Sequence, residues 1–294
     1  AKFYRCALQV NPHHYSATFR GGASEGDPAA YAKAMVNKAR ALGISVLAIT
    51  DHNSVSAVSQ FRAAASDGGV HVLPGFELSS SEGVHVLCIY PENTTDDKLS
   101  RFLGEFGITN TAPSTDPAQK TFIEILDKVR QQGGVTIAAH ATNQKGLFTV
   151  LTGQPRIAAW KHHNLRAIQI PGTVQDLPVD VKSIAENKNP DYRRDDPADD
   201  SLAVAVVNAR DVTKPEDLED PSASCLIKMS HVGVEGLRQA FLDPGSRIRT
   251  NPKDSTGDAD AHAELLAIAW EGGFLDGAMV RFNPNLNVLV GGRG

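Results

Sequence analysis

The sequence predicts an α/β fold built on a mainly parallel sheet that closes into a barrel. Two observations predict it. Short apolar runs recur along the chain, each of strand length, and amphipathic segments of helical period stand between them. Strands alternating with helices mean βα units. Seven or so strands before residue 230 favour a closed or distorted (β/α) barrel over an open doubly wound sheet. No glycine-rich turn follows the first strand, which argues against a dinucleotide-binding fold.

The elements follow in order. "DPAAYAKAMVNKARALG" (27–43) reads as a helix: Asp27 caps it, Pro28 suits its first turn, Tyr31, Met35 and Leu42 share a face, and Gly43 stops it. "VLAIT" (46–50) fits a buried strand. "VSAVSQFRAAAS" (55–66) reads as helix, while "VHVLPGFEL" (70–78) and "VHVLCIY" (84–90) read as extended. "TFIEILDKVRQQGG" (121–134) is an amphipathic helix ended by glycine, and "VTIAAH" (135–140) is the strand after it. "RAIQI" (166–170), "LAVAVV" (202–207) and "CLIKM" (225–229) continue the strand series, and "VEGLRQAFLD" (234–243) is a further helix. The polar stretch "ENKNPDYRRDDPADDS" (186–201) reads as a solvated loop. His162 and His163 read as an exposed helix end.

Composition narrows the function classes. The 294 residues are 41% hydrophobic and 21% charged, ordinary for a globular protein. A formal charge of −5 leaves no global basic footprint, so nucleic-acid binding needs a local patch. No apolar stretch approaches the ~20 residues that cross a bilayer, and no signal peptide is evident. Cys6, Cys88 and Cys225 are isolated and lie in or beside apolar runs, as buried free thiols do. A reducing, cytoplasmic location is the expectation. No G-x-S-x-G elbow supports a serine hydrolase.

In a parallel barrel the strand C-termini and their loops converge on one face. Gln9, Asn11, His13 and His14 follow the first strand, and Asp51 and His52 the second. Glu77 closes the third, His85 lies early in the fourth, and His140 ends "VTIAAH". Asn208, Arg210 and Asp211 follow "LAVAVV". Imidazole and carboxylate together are the donor set of a zinc, manganese or iron site.

"ITDHN", "PGFELSSSEGVHVLCIY" and "AAHATN", in that order, resemble the later motifs of the PHP (polymerase and histidinol phosphatase) superfamily. The resemblance implies a distorted (β/α)7 TIM-like barrel, divalent metal at the strand C-termini and phosphoester hydrolysis. It implies metal ligation by His52, Glu77, His85 and His140. "CLIKMSHVGVEGLRQAFLDPGSRI" (225–248) is similar to the end of PHP domains fused ahead of an AAA- or ABC-like ATPase, the TrlF-like group.

The departures are as informative. The family opens with Asp-Leu-His-x-His, where this chain has Ala7-Leu8-Gln9-Val10-Asn11. It closes with Ser-Asp-Ala-His, where this chain has Val207-Asn208-Ala209-Arg210. Gln9, Asn11 and Asn208 are poor ligands for a zinc-like ion. Either His13 or His14 supplies a displaced ligand, or the two form a surface pair. Asp211 either replaces the missing aspartate one residue late or caps the turn around "KPEDL". The expectation is therefore one ion, with Asp51 and Arg210 as catalytic candidates. Arg210 would pair with a phosphate in place of a lost ion.

The end of the chain reads as a hairpin, "GAMVRFNPNLNVLVGGRG" (277–294), and resembles the first hairpin of ABC/SMC-type ATPases. Gly291, Gly292 and Gly294 would open a P-loop, cut before its lysine. The expected organisation is a barrel over 1–250, a linker and helix over 251–276, and the start of an ATPase over 277–294. ATP with Mg²⁺ would bind only in the longer protein that Ala1 and the abrupt end suggest. Two function classes stay open: a phosphoesterase acting on a nucleotide or nucleic-acid phosphoester, coupled to the ATPase, and a degenerate barrel that senses a ligand for it.

Overall fold

A computed structural model describes residues 1–23, 26–110, 112–194, 203–251, 265–282 and 288. Nine strands form the main sheet: β1 (Lys2–Val10), β2 (Ile44–Ile49), β3 (His71–Ser79), β4 (His85–Ile89), β5 (Val135–Ala138), β6 (Ala167–Gln169), β7 (Ala205–Val207), β8 (Cys225–Met229) and β9 (Ile248–Arg249). Their order is β7-β6-β5-β4-β3-β2-β1-β8-β9, and the two end strands, β7 and β9, meet. The Asn208 amide just after β7 donates to the Thr250 carbonyl just after β9 and ties this seam. The sheet is thus a nearly closed barrel, as the strand count suggests.

The expectation of a mainly parallel sheet needs correction. Four pairings are parallel and four antiparallel. The connection from β3 to β4 is Ser80–Val84, far shorter than a parallel crossover requires. β4 therefore runs backwards, with Ser79 opposite His85. This reversal matters for function, because it carries the first residue of β4 to the face where its neighbours end.

Local chemistry explains the helices that the sequence shows clearly. Pro28–Ala41 is capped by Asp27, whose carboxylate accepts from Ala30 N at 2.9 Å. Phe122–Gln131 opens with a reciprocal Thr121–Glu124 capping box. Val58–Ala64 and Val234–Leu242 also fall where expected. The sequence reading passed over Tyr15–Phe19, Asp96–Gly104, Gly153–Lys161 and Val179–Ala185. Gly153–Lys161 shows almost no amphipathic contrast, so periodicity could not reveal it. His162 ends that helix and pairs with Asp127 at 3.4 Å.

Alternation along the strands sorts two cores. Cys6, Leu8, Val46, Ala48, Leu73, Leu87, Ile137 and Val207 fill the barrel, while Leu47, Ile49, Phe76, Val86, Cys88 and Ile168 face the surrounding helices. The helix Val234–Leu242 adds Leu237 and Phe241 to the interior core. Its Arg238 donates to Gly134 O at 3.1 Å, just before β5, so the helix closes the base. All three cysteines are buried and free, as expected.

Two other expectations change. The stretch 186–201 is not simply solvated: Tyr192 and Arg194 are buried, and Arg194 donates to the carbonyls of Trp160 and Leu165. Toward the C-terminus, β10 (Ala267–Ala269) pairs antiparallel with β11 (Met279–Arg281). So β11, the expected first strand of the C-terminal hairpin, is partnered by a segment upstream of it. Within 251–276, the described residues 265–276 hold strand and turns. Residues 252–264, most of the expected second strand, and Gly291, Gly292 and Gly294 lie outside the described residues.

Candidate metal centre

The face where β1, β2, β3 and β5 end, and where reversed β4 begins, gathers the polar residues that the core excludes. Glu77 is completely buried there. An isolated bridge pairs His52 with Glu77, with Glu77 N donating to Asp51 O at 2.8 Å and Asn53 N to Glu77 O at 3.0 Å. His85 Nδ1 lies 2.9 Å from Glu77 Oε1, His140 Nε2 lies 3.7 Å from the same oxygen, and His52 Nε2 lies 3.6 Å from Oε2. His140 Nε2 and His85 Nδ1 are 3.1 Å apart. Donor atoms of His52, Glu77 and His85 all fall within 4.8 Å of one another. Three of the four residues expected as ligands form that group, and His140 adjoins it through Glu77 and His85.

Their electrostatics suit a cation. Burial raises the Glu77 pKa, opposed by His52, His140 and a hydrogen bond from Gln9. Burial also lowers His85 to about 4, with Lys145 adding to the effect, so its imidazole is neutral at pH 7 and keeps a lone pair. Glu77 Oε1 sits within 2.9 Å of His85 Nδ1, yet it accepts no hydrogen bond. Gln9 Oε1, Asn11 Oδ1 and Asp51 Oδ1 are likewise buried without a partner. Buried acceptors of this kind are rare and demand a reason. A divalent cation among His52, Glu77, His85 and His140 would satisfy Glu77 Oε1 and take imidazole nitrogens as further donors, so the residues fit the group.

The backbone is shaped to this end. His140 and Asn53 hold positive φ, at 31° and 50°, a conformation uncommon outside glycine. His140 N donates to the side chain of Gln169, the last residue of β6. A Cβ on Gly146 would lie 2.3 Å from His140 O, so glycine lets the loop fold back against this histidine.

The remaining candidates divide. The Gln9 amide donates to Glu77 Oε2 at 3.0 Å, and Asn11 donates to Asp211 Oδ1 at 3.2 Å. Asp211 faces the site, acting electrostatically on Glu77 and His85, while Asp217 anchors the turn after Lys214. Asp51 is buried and meets His14 Nε2 at 2.9 Å, while His13 packs edge-on against Tyr31. Asn208 spends its amide on the barrel seam. Arg210 requires correction: its side chain is 60% exposed and pairs with Asp220. The guanidinium that reaches Asp211 belongs to Arg20. Sequence reading missed Tyr15, stacked on His52 at 5.8 Å, as well as Arg20, Lys145 and Gln169. Only Gln169 carried a signal, a polar residue at an inward position of "RAIQI".

Residues 22–148 match the family model of the PHP domain. The match contains His52, Glu77, His85 and His140 and leaves out Gln9, Asn11, Asn208 and Asp211, so it ends where the departures begin. Among solved structures, the chain is similar to the lesion-specific endonuclease PfuEndoQ from Pyrococcus furiosus, with 14% identity and a TM-score of 0.54. It is also similar to an Endonuclease Q complex, with 13% identity and a TM-score of 0.53. Each likeness covers 81% of this chain and 56% of the other, so this chain spans little more than half their length. At such identity the likeness shows the fold. A comparison with curated proteins gave no match. Among the described residues no helix is long and apolar enough to cross a membrane.

Proposed function

We propose that this barrel is a metal-dependent phosphoesterase-like module holding one divalent ion, zinc, manganese or iron, between His52, Glu77, His85 and His140. The observation that carries the reading is the buried Glu77 oxygen left without a hydrogen bond among imidazole nitrogens. When bound, such an ion polarises a phosphoryl oxygen and lowers the pKa of water toward ~7. The chain's own residues do the rest. Gln9 fixes the Glu77 carboxylate, Gln169 sets the His140 backbone, and Asp51, tied to His14, is a proton acceptor at the same rim. The phosphoester is taken to be that of a nucleotide or nucleic acid. The Endonuclease Q complex, which contains a 27-mer duplex with an abasic lesion at its active site, supports that choice through fold alone. Coupling to a C-terminal ATPase rests on the sequence of 277–294.

Gln9 and Asn11 favour a second reading. Their amides hydrogen-bond to carboxylates where imidazoles would bind an ion, as expected of a degenerate barrel that senses a ligand. Metal-replete protein assayed on a phosphodiester and a phosphomonoester, with metal content measured in parallel, separates the two. Turnover that disappears on chelation and returns with metal supports the enzyme. One tightly held ion without turnover supports the sensor. No bound ion under replete conditions rejects the enzyme reading and the single-ion site.

A further inference from the structure

The metal centre accounts for the imidazoles but not for the cation beside them. Arg20 follows the short helix Tyr15–Phe19. Its guanidinium pairs with Asp211, which is held in turn by Asn11, and lies over the Tyr15 ring at 5.4 Å. Tyr15 stacks on His52. A continuous line of contacts therefore joins Arg20 to the proposed ligands.

Arg20 is nevertheless half exposed, whereas Asp211 is 18% exposed and Tyr15 is buried. A guanidinium offers five N–H donors, and Asp211 is bonded through one terminal nitrogen. Tyr15 hydrogen-bonds the guanidinium as well, and with half of its side chain in solvent Arg20 keeps donors for a ligand. Lys145 adds a second positive charge near the same centre, where its carbonyl accepts from His85 N at 2.9 Å. Asp51 is buried and tied to His14, so it does not compete for Arg20.

We propose that Arg20 is the anion-binding residue of this rim and seats a phosphoryl group of the substrate beside the metal position. Asp211 and Tyr15 hold the guanidinium oriented, and its solvent-facing donors suit phosphoryl oxygens. Arg20 thereby takes the role that the sequence suggested for Arg210. This rests on the phosphoester reading of the site.

The test is inorganic phosphate binding by calorimetry, on metal-free and zinc-loaded protein, for the native chain, Arg20→Ala and Arg20→Lys. Metal content and Tm are measured on each. A charge-assisted pair of this kind predicts phosphate affinity about tenfold or more weaker in Arg20→Ala. Arg20→Lys, which keeps the charge and loses the fork, should fall between. Metal content and Tm should stay at native values. Unchanged phosphate affinity in Arg20→Ala overturns the proposal, even if the native protein hydrolyses phosphoesters. Loss of metal or of Tm with unaltered phosphate affinity overturns it too and leaves Arg20 a structural support for Asp211. Phosphate binding that depends on Arg20 in a protein without turnover supports the proposal and rejects the enzyme reading instead.

Discussion

The rim of this barrel has two halves that hold their carboxylates, Glu77 and Asp211, in different ways. On the side built from β2 to β5, Glu77 is surrounded by His52, His85 and His140, and one of its oxygens has no hydrogen bond. On the side built from β1 and the segment after β7, Asp211 is met by the Asn11 amide and the Arg20 guanidinium. The first half leaves a carboxylate oxygen without a hydrogen bond beside imidazoles, an arrangement that a cation would complete. The second already contains its cation as a side chain. What decides between them is the donors, amide and guanidinium against imidazole.

The largest effect expected follows from the first half. Glu77→Gln keeps the shape of the side chain and removes its charge. Metal affinity should fall by more than about 100-fold, beyond the 10–100-fold typical of partners that only orient a ligand. Competition against a chelator measures it. If affinity is unchanged, the ion is elsewhere and the contrast between the halves has no chemical meaning.

The second half can be converted. Gln9→His with Asn11→His restores imidazoles where the amides stand. While Arg20 is present its fixed charge opposes a further ion, so elemental analysis should still give one metal per chain. Adding Arg20→Ala should raise the count toward two. A second ion acquired with Arg20 in place would show that the guanidinium does not replace one.

A smaller effect belongs to Gln169, which touches no proposed donor atom and only fixes the backbone of His140. Gln169→Leu should weaken metal binding by about tenfold, the lower end of what orienting partners contribute. A drop as large as that of Glu77→Gln would make Gln169 a ligand and enlarge the first half.

The two halves were not equally legible in the sequence. His52, Glu77 and His140 stand at strand ends in apolar surroundings, and local order alone brings them to one face. His85 stands at the start of its strand, so only the resemblance of "PGFELSSSEGVHVLCIY" to a PHP motif made it a candidate; the reversal of β4 carries it to the face where the neighbouring strands end. Arg20 was not legible. It lies in a polar loop after a helix of five residues, and its partner is nearly two hundred residues away. Short-range patterning carries no trace of such a pairing. Arg210 misled for the converse reason. It stands beside Asp211 in sequence, but neighbouring side chains on an extended segment point to opposite sides. Asp211 takes the inward one.

That alternation gives the smallest expected effect and the sharpest contrast of chemistry at matched charge. Arg210 and Arg20 are both guanidiniums paired with an aspartate, and Arg210 is adjacent to the site in sequence. If proximity in sequence or net charge governed phosphate binding, Arg210→Ala would cost at least as much as Arg20→Ala. The geometry says otherwise. Arg210 pairs with Asp220 and its side chain is 60% exposed, and among the described residues no hydrogen bond or ion pair links it to Glu77. Exposed pairs of this kind contribute about 0–1 kcal/mol, and water screens their reach. Arg210→Ala should therefore change phosphate affinity by less than about twofold and leave metal content and Tm near native values. The same calorimetric titration serves for both variants. An Arg210→Ala protein that loses phosphate binding while Arg20→Ala keeps it would reverse the assignment and place the anion seat on the outer side of the segment after β7.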